Sequence, residues 1–258
     1  MSDNVTSTAE NTALDEKRGL SGSTLKLIAI TTMFIDHIGA AIFENTAIAN
    51  RVMRYREGTT YVVIDLVLRL IGRIAFPIFC FLLVEGFLHT RNVKKYALRL
   101  GLFCVISEIP FDLAFFQQVI HSGHQNVFFT LFIGLLVLAG IRHFEKEGAA
   151  NAFMRVVCVV AGVALARLLR TDYDAFGVCV IVLFYIFRSR PVLRDISTMA
   201  VLVVCNILEV TGIIALFPIH LYNGKRGFSL KYFFYLFYPV HLLLLYGIGQ
   251  LIARTAFR

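Results

Sequence analysis

Long apolar blocks separated by short polar segments dominate this sequence. Many blocks run for roughly 18 to 25 residues, the length an α-helix needs to cross a hydrocarbon core about 30 Å thick. Blocks such as 156–169 and 193–217 are apolar on every face, unlike the alternating strands of a membrane β-barrel. A chain with 58% hydrophobic and 16% charged residues is also too apolar for a soluble domain. The sequence therefore predicts an all-α integral membrane protein.

The block pattern predicts a polytopic bundle of about eight transmembrane helices. The expected spans are 25–43, 61–88, 96–119, 127–144, 151–170, 174–189, 195–218 and 229–252. The fifth and sixth spans form either a tight hairpin or a broken helix that lines a cavity. Residues 1–22 are polar and lack the pattern of a signal peptide, so we expect a disordered cytoplasmic tail before one multi-span domain, 23–258.

Basic residues predict the orientation of these spans. If the N-terminus is cytoplasmic, most Lys and Arg residues fall on the cytoplasmic side, which favours an N-in, C-in topology. Lys225, Arg226 and Lys231 are then expected outside, together with Arg51, Arg54 and Arg56. The net charge of +8 indicates contact with lipid head groups rather than with nucleic acid. We therefore expect a multi-pass protein of the cell (cytoplasmic) membrane, with membrane lipid as a partner.

Metal and nucleotide motifs are absent from the sequence. The five cysteines lie in apolar segments without metal-ligand spacing, and they are Cys80, Cys104, Cys158, Cys179 and Cys205. The chain contains no H-E-x-x-H, no Walker loop and no G-x-G-x-x-G. Neither a metal site nor ATP hydrolysis is predicted.

Titratable residues inside the predicted spans indicate a functional site, because a charge near the bilayer centre costs about 2.5–3.5 kcal/mol. His37 lies about 18 Å along its helix from Leu25, and His241 falls at a similar depth in the last span. Asp36 is the neighbour of His37 but points about 100° away from it. Asp36 is therefore not expected to orient His37.

The second and third spans carry further charges. Asp65, Arg69 and Arg73 share one helix face through i, i+4 spacing, and an Asp65–Arg69 ion pair that serves only packing remains an alternative. Arg73 has no partner in its own helix, which favours anion binding. Pro110 between Glu108 and Asp112 predicts a kink that opens a polar pocket.

Long motifs spread over nearly the whole chain after the polar tail resemble those of the TraX family. They are 25–30, 35–39, 69–79, 85–92, 107–113, 126–130, 172–177, 223–227 and 235–242. The family takes its name from the F-pilin acetylation protein, a membrane enzyme that acetylates the pilin N-terminus. It looks like a distant relative of multi-span acyltransferases with a basic residue, ten intervening residues and a histidine on the first helix. Lys26 and His37 match that spacing.

This resemblance implies an acetyl-CoA-dependent membrane acyltransferase whose acceptor is a peptide amine, a glycan or a small molecule. Histidine suits the role of base because its ordinary pKa of about 6.5 leaves it mostly neutral at physiological pH. The catalytic candidates are His37, His241, Arg73, Glu108 and Asp112, with His37 as the first choice of base and Arg73 or His241 near the oxyanion. The donor-binding candidates are Lys26, Glu85, His89, Arg91, Lys94 and Lys95. The acceptor-binding candidates are Asp36, Arg69, Asn126, Asp172, Tyr173, Lys225, Arg226 and Tyr238.

A purely structural role for some of these residues and two other function classes compete with this interpretation. Glu85 and His89 also fit a solvated helix end. A proton-coupled transporter would place similar groups at mid-membrane but would usually show repeat symmetry, which the sequence lacks. A non-catalytic membrane assembly factor would use the same residues to hold helices together. Consumption of acetyl-CoA by the purified protein distinguishes an enzyme from both.

Overall fold

The structure, a computed structural model, describes residues 19–44, 58–229 and 231–256. Helices make up most of this part of the chain, and its one trace of strand pairing is two isolated bridges, Leu20–Tyr222 and Gln125–Thr171, which confirms the all-α fold. The α-helices are α1 Gly22–Ile38, α2 Gly58–Gly72, α3 Ala75–His89, α4 Val93–Phe116, α5 Val127–His143, α6 Ala149–Leu169, α7 Asp174–Ile186, α8 Pro191–Cys205, α9 Leu216–His220 and α10 Lys231–Ala256. A π-helix, Gly39–Glu44, extends α1, and a 3₁₀ helix, Ile207–Ala215, precedes α9.

Several helices have the length and composition expected of membrane spans. Within the described residues, four stretches qualify by both criteria, namely Gly22–Glu44, Thr60–His89, Ala149–Leu169 and Tyr232–Arg254. Shorter apolar helices cover Val127–His143, Asp174–Ile186 and Ile207–His220. The apolar helices indicate a membrane protein, whereas the predicted number of about eight spans is not confirmed.

The second predicted span is interrupted in its middle. Proline has no amide hydrogen, so Pro77 cannot donate to the carbonyl of Arg73, and α2 ends at Gly72 before α3 begins at Ala75. Thr211 of the 3₁₀ helix donates a hydrogen bond of 2.9 Å to the carbonyl of Leu70 near this break. The interruption therefore brings irregular backbone and the Arg73 side chain to the same depth of the bundle.

The predicted seventh span is two segments in the structure. α8 ends at Cys205, and the Asn206 side chain caps the 3₁₀ helix by accepting from the amide of Leu208 at 3.0 Å. The chain then turns back. Evidence for this turn is the contact between Nε2 of His220 and Oδ2 of Asp195, which lie 3.1 Å apart near the start of α8. Composition did not reveal this turn, since both segments are apolar.

The turn at Asn206 makes a hairpin of α8 and the 207–220 segment. The 223–227 loop therefore lies at the opposite end of the bundle from the one predicted. Leu20 donates to the carbonyl of Leu221 at 2.7 Å, and Gly22 and Ser23 donate to the carbonyls of Lys225 and Arg226 at 2.8 and 3.0 Å. The placement of Lys225 and Arg226 on the outer side is therefore wrong relative to a cytoplasmic start of α1. Arg51, Arg54 and Arg56 lie outside the described residues.

The first and last helices start side by side and run parallel. The loop that precedes α10 is bonded to the start of α1, and His37 of α1 meets His241 of α10 further along. Two parallel helices carry the chain toward the same face, so an N-in, C-in topology is not confirmed. We call the end with the start of α1 the basic end, since Lys94, Lys95 and the 225–226 pair lie there, and the other the distal end.

Cysteine labelling tests the hairpin. In a cysteine-free background, Lys225→Cys and Lys94→Cys should react with an impermeant maleimide from the same side of sealed vesicles. Ser122→Cys, in the exposed segment after α4, should react only from the other side. Labelling of Lys225→Cys together with Ser122→Cys would restore the single seventh span.

Candidate functional site

Two histidines from the first and last helices meet inside the bundle. Nδ1 of His37 lies 2.7 Å from Nε2 of His241, and the two rings are nearly parallel, at 9°, with centroids 4.9 Å apart. His241 is 3% exposed, whereas His37 is half-buried. The prediction that both histidines reach one layer is confirmed.

Hydrogen bonding determines which nitrogen carries each proton. Nδ1 of His241 lies 2.7 Å from the carbonyl oxygen of Phe237, which can only accept, so this nitrogen is protonated. Nε2 of a neutral His241 is then an acceptor, and His37 donates to it from Nδ1. The remaining Nε2 of His37 therefore carries a lone pair. A histidine in this state can take a proton from a substrate.

Aromatic rings enclose the histidine pair. The His37 ring lies edge-on to Phe115 at 5.2 Å and to Tyr238 at 5.8 Å, and the His241 ring stacks on Phe237 at 4.8 Å. Tyr238 is 3% exposed. These rings limit rotation of both imidazoles, so the pair is held in one orientation.

A network of charged side chains lies beside the histidines. Asp36 accepts from Nη1 of Arg69 at 2.6 Å and from Nη2 of Arg73 at 2.8 Å. Nη1 of Arg73 also donates to Glu209 at 2.8 Å, and Nε of Arg69 lies 3.2 Å from Glu44. With Asp36 at 9% and Glu209 at 2% exposure, the centre of the network is almost removed from solvent. Mutual pairing is what makes such burial possible.

Two glycines allow the helices that carry this network to approach closely. A Cβ at Gly72 would overlap the side chain of Asp36, and a Cβ at Gly39 would lie 2.8 Å from Oδ1 of Asp65. Small residues at helix crossings are a common means of close packing in membranes. Here they bring Asp36 within hydrogen-bonding distance of both arginines.

The structure corrects the expected pairing of the second span. Arg73 is not an unpaired anion receptor, because Asp36 and Glu209 from other segments neutralise it. Arg69 bonds Asp36 and Glu44, while Oδ1 of Asp65 is buried without a hydrogen-bond partner among the described residues. Glu209 was missed, although a carboxylate within an apolar block was a usable signal.

Glu108 and Asp112 organise the segment between α4 and α5. Glu108 accepts from the side-chain amide of Asn126, whose Oδ1 caps α5 by accepting from the amide of Phe128 at 3.0 Å. Oδ2 of Asp112 accepts from the amide of His121 at 2.7 Å. In this structure neither carboxylate bonds a histidine ring of the central pair.

The turn between α6 and α7 lies at the distal end beside this segment. Tyr173 stacks on Phe76 with centroids 3.4 Å apart, and Asp172 lies 3.5 Å from Nε2 of His124. Asp172 is also within electrostatic range of Asp36. The hydrogen bond between His124 and Asp172 raises the pKa of His124 above 6.5, although burial of His124 lowers it. The turn thus forms a distal wall of the site.

The predicted donor-binding residues lie away from the histidines. Arg91, Lys94 and Lys95 are exposed at the start of α4, and Lys26 lies in the first turns of α1. Nδ1 of the exposed His89 lies 2.9 Å from the carbonyl of Glu85, and Glu85 bonds the hydroxyl of Tyr222. Along α1, Lys26 and His37 are separated by about 16 Å. No His, Cys, Asp or Glu cluster suited to a metal occurs among the described residues.

Known proteins resemble this chain over most of its length. The family model described as TraX protein matches residues 21–249, which include both histidines and the charged network. A relative from Dichelobacter nodosus, "Probable fimbrial assembly protein FimC, serogroup H1", is 31% identical over 256 residues, which cover 86% of this chain and 92% of the relative. No solved structure matches.

Removal of Glu209 should destabilise the bundle. Glu209→Ala leaves the buried Arg73 with one carboxylate fewer, which we expect to lower the free energy of unfolding by about 3–5 kcal/mol. The exposed Glu145→Ala should change it by less than about 0.5 kcal/mol. Unfolding in mixed detergent micelles measures both. If Arg73→Leu combined with Glu209→Leu costs as much as the two single changes added together, Arg73 and Glu209 are not coupled.

The His124–Asp172 contact should be pH-dependent. A raised pKa in the folded state means that the contact stabilises the protein fully below pH about 6.5 and that this stabilisation disappears as the pH rises through the folded pKa. The midpoint of thermal unfolding should therefore exceed that of His124→Gln at pH about 6 and converge with it at pH about 9. A difference that grows with pH would contradict the assignment.

Proposed function

Because the chain belongs to the TraX family, we propose that it is a multi-pass acyltransferase of the cytoplasmic membrane. It moves an acetyl group from acetyl-CoA to an amine or hydroxyl acceptor. The observation that carries this proposal is the hydrogen-bond chain from the Phe237 carbonyl through His241 to His37, because it leaves Nε2 of His37 able to accept a proton.

His37 is the base and His241 is the residue that orients it. The acceptor nitrogen or oxygen attacks the thioester carbonyl carbon, and its proton passes to Nε2 of His37. The tetrahedral intermediate then collapses with cleavage of the carbon–sulfur bond, and the departing CoA sulfur takes the proton from His37. His241 holds the His37 ring through Nδ1 throughout, as the third member of a triad does.

The charged network supports this chemistry by holding α1, and with it His37, in a fixed position. Asp36 of α1 bonds both Arg69 and Arg73, whose guanidinium groups lie within electrostatic range of the His37 ring. Three donor groups of Arg73 are taken by Asp36, Glu209 and the carbonyl of Arg69, so Arg73 positions the helices rather than bonding the reacting carbonyl. A base that is held in place before the reaction needs no reorientation during proton transfer.

A non-catalytic role in fimbrial assembly is the second candidate. The relative from Dichelobacter nodosus is described as a probable fimbrial assembly protein, and paired intramembrane charges also serve packing. An assembly factor needs no neutral imidazole nitrogen facing an acceptor. The two candidates therefore differ in the consequence of losing His37 for thioester turnover.

Loss of His37 should abolish acyl transfer without preventing insertion. His37→Ala should reduce the turnover of acetyl-CoA in the presence of an acceptor amine about 10²- to 10⁴-fold, the usual contribution of a general base. His241→Ala should lower turnover less, because His37 keeps its free nitrogen but loses its orientation. Release of free CoA by purified protein in nanodiscs measures the rates.

His143→Ala is the matched control. This histidine is exposed at the end of α5 and should leave turnover unchanged. If His241→Ala alone eliminates turnover while His37→Ala only weakens it, the base is His241. Near-normal turnover in both variants would make the histidines structural.

A further inference from the structure

Arg99 is a half-buried arginine that lacks a carboxylate partner among the described residues. It lies in the second turn of α4, with its guanidinium 5.9 Å from the centroid of the Tyr96 ring and in contact with the Tyr235 hydroxyl. Its Nε is buried and has no hydrogen-bond partner in the part of the chain that the structure describes. A half-buried guanidinium without a carboxylate partner favours the binding of a negatively charged ligand.

Two further cations lie around the same turn of α10. The ammonium of Lys26 is 5.4 Å from the centroid of the Phe234 ring, next in sequence to Tyr235. Arg226 is within electrostatic range of Lys26, and its guanidinium bonds the hydroxyl of Ser229 at 3.3 Å. No ion pair joins either cation to a carboxylate in the ranges that the structure describes. The like charges of Lys26 and Arg226 repel each other, so an anion bound beside them would lower the energy of the fold.

Aromatic side chains connect this cationic group to the histidines. Tyr235 stacks with Phe103 at 4.8 Å and with Phe128 at 6.4 Å. Phe128 contacts Tyr238 at 5.1 Å, and Tyr238 contacts His37 at 5.8 Å. Tyr235 and Tyr238 are one turn apart on α10 and therefore face the same way. These contacts form a continuous row of rings from the cations to His37.

We propose that Lys26, Arg99 and Arg226 bind the phosphate groups of the acyl donor, with Arg99 as the innermost contact. The arm that carries the thioester then lies along Tyr235 and Tyr238 and presents its carbonyl to His37. Arg99 is thus a donor-binding residue in addition to those predicted from the sequence. The proposal rests on the proposed acyltransferase function, since it assigns the donor site of that reaction.

The test compares donors with and without phosphate groups. Purified protein in nanodiscs of zwitterionic lipid should use acetyl-CoA with a higher kcat/KM than S-acetylpantetheine, which has the same thioester arm but no phosphate. Arg99→Gln should reduce the ratio of the two kcat/KM values about tenfold or more, because a hydrogen bond to a charged group is lost. Arg226→Gln, at an exposed position that does not threaten folding, should reduce it in the same direction.

Arg142→Gln is the matched control, because its guanidinium also lies at the basic end, 4.2 Å from the centroid of the Phe87 ring. In Arg142→Gln, the ratio of kcat/KM for acetyl-CoA to kcat/KM for S-acetylpantetheine should equal that of the wild type. An unchanged ratio in both Arg99→Gln and Arg226→Gln would overturn the phosphate site while thioester turnover continued. The failure of the proposed function looks different, because CoA would then bind in an Arg99-dependent manner but no thioester would be consumed.

Anionic lipid is the other source of a phosphate group at this depth. Calorimetric titration with CoA should show a Kd that rises about tenfold in Arg99→Gln in zwitterionic nanodiscs. If CoA does not bind there, and phosphatidylglycerol instead stabilises the wild type but not Arg99→Gln against thermal unfolding, the site belongs to a lipid head group and the donor assignment is wrong.

Discussion

The pairing of Asp36 with both Arg69 and Arg73 is the interaction on which the rest of the site depends. Charges at this depth are tolerated only when each has a partner, so α1, the α2–α3 break and the 3₁₀ helix must come together. The same pairing sets the rotation of α1 about its axis. Because His37 follows Asp36 and points about 100° away, fixing Asp36 toward the arginines directs His37 toward α10.

Interrupted helices supply the space for this arrangement. A regular helix satisfies its own backbone and offers only side chains to a cavity, whereas a broken one also brings backbone groups and closer approach. The break before Ala75, the π-helix after Ile38 and the 3₁₀ helix from Ile207 all lie beside the charged network. Pro77 is the local cause of the first break, and the bond from Thr211 to Leu70 ties the 3₁₀ helix to it. The charged layer therefore lies where the bundle is least regular.

Local rules predicted the parts of the site that depend on one helix at a time. Helical rise placed His37 and His241 at one depth, and the 100° step correctly separated Asp36 from the histidine. Long-range pairing was not accessible in this way. Arg73 finds its partners 37 and 136 residues away, and spacing within a helix carries no information about them. The turn at Asn206 was missed because the segments on both sides of it are apolar, and that error put Lys225 and Arg226 at the wrong end of the bundle.

The central claim is that His37 presents an unprotonated Nε2 because His241 takes the hydrogen bond from its Nδ1. Nitrogen-15 NMR of histidine-labelled protein in bilayers measures this directly, with the His37 signals assigned by their loss in His37→Gln. We expect a directly bonded proton on Nδ1 and the chemical shift of an unprotonated ring nitrogen for Nε2 at neutral pH. A proton on Nε2 of His37, with Nδ1 acting as the acceptor, would contradict the role of His37 as the base.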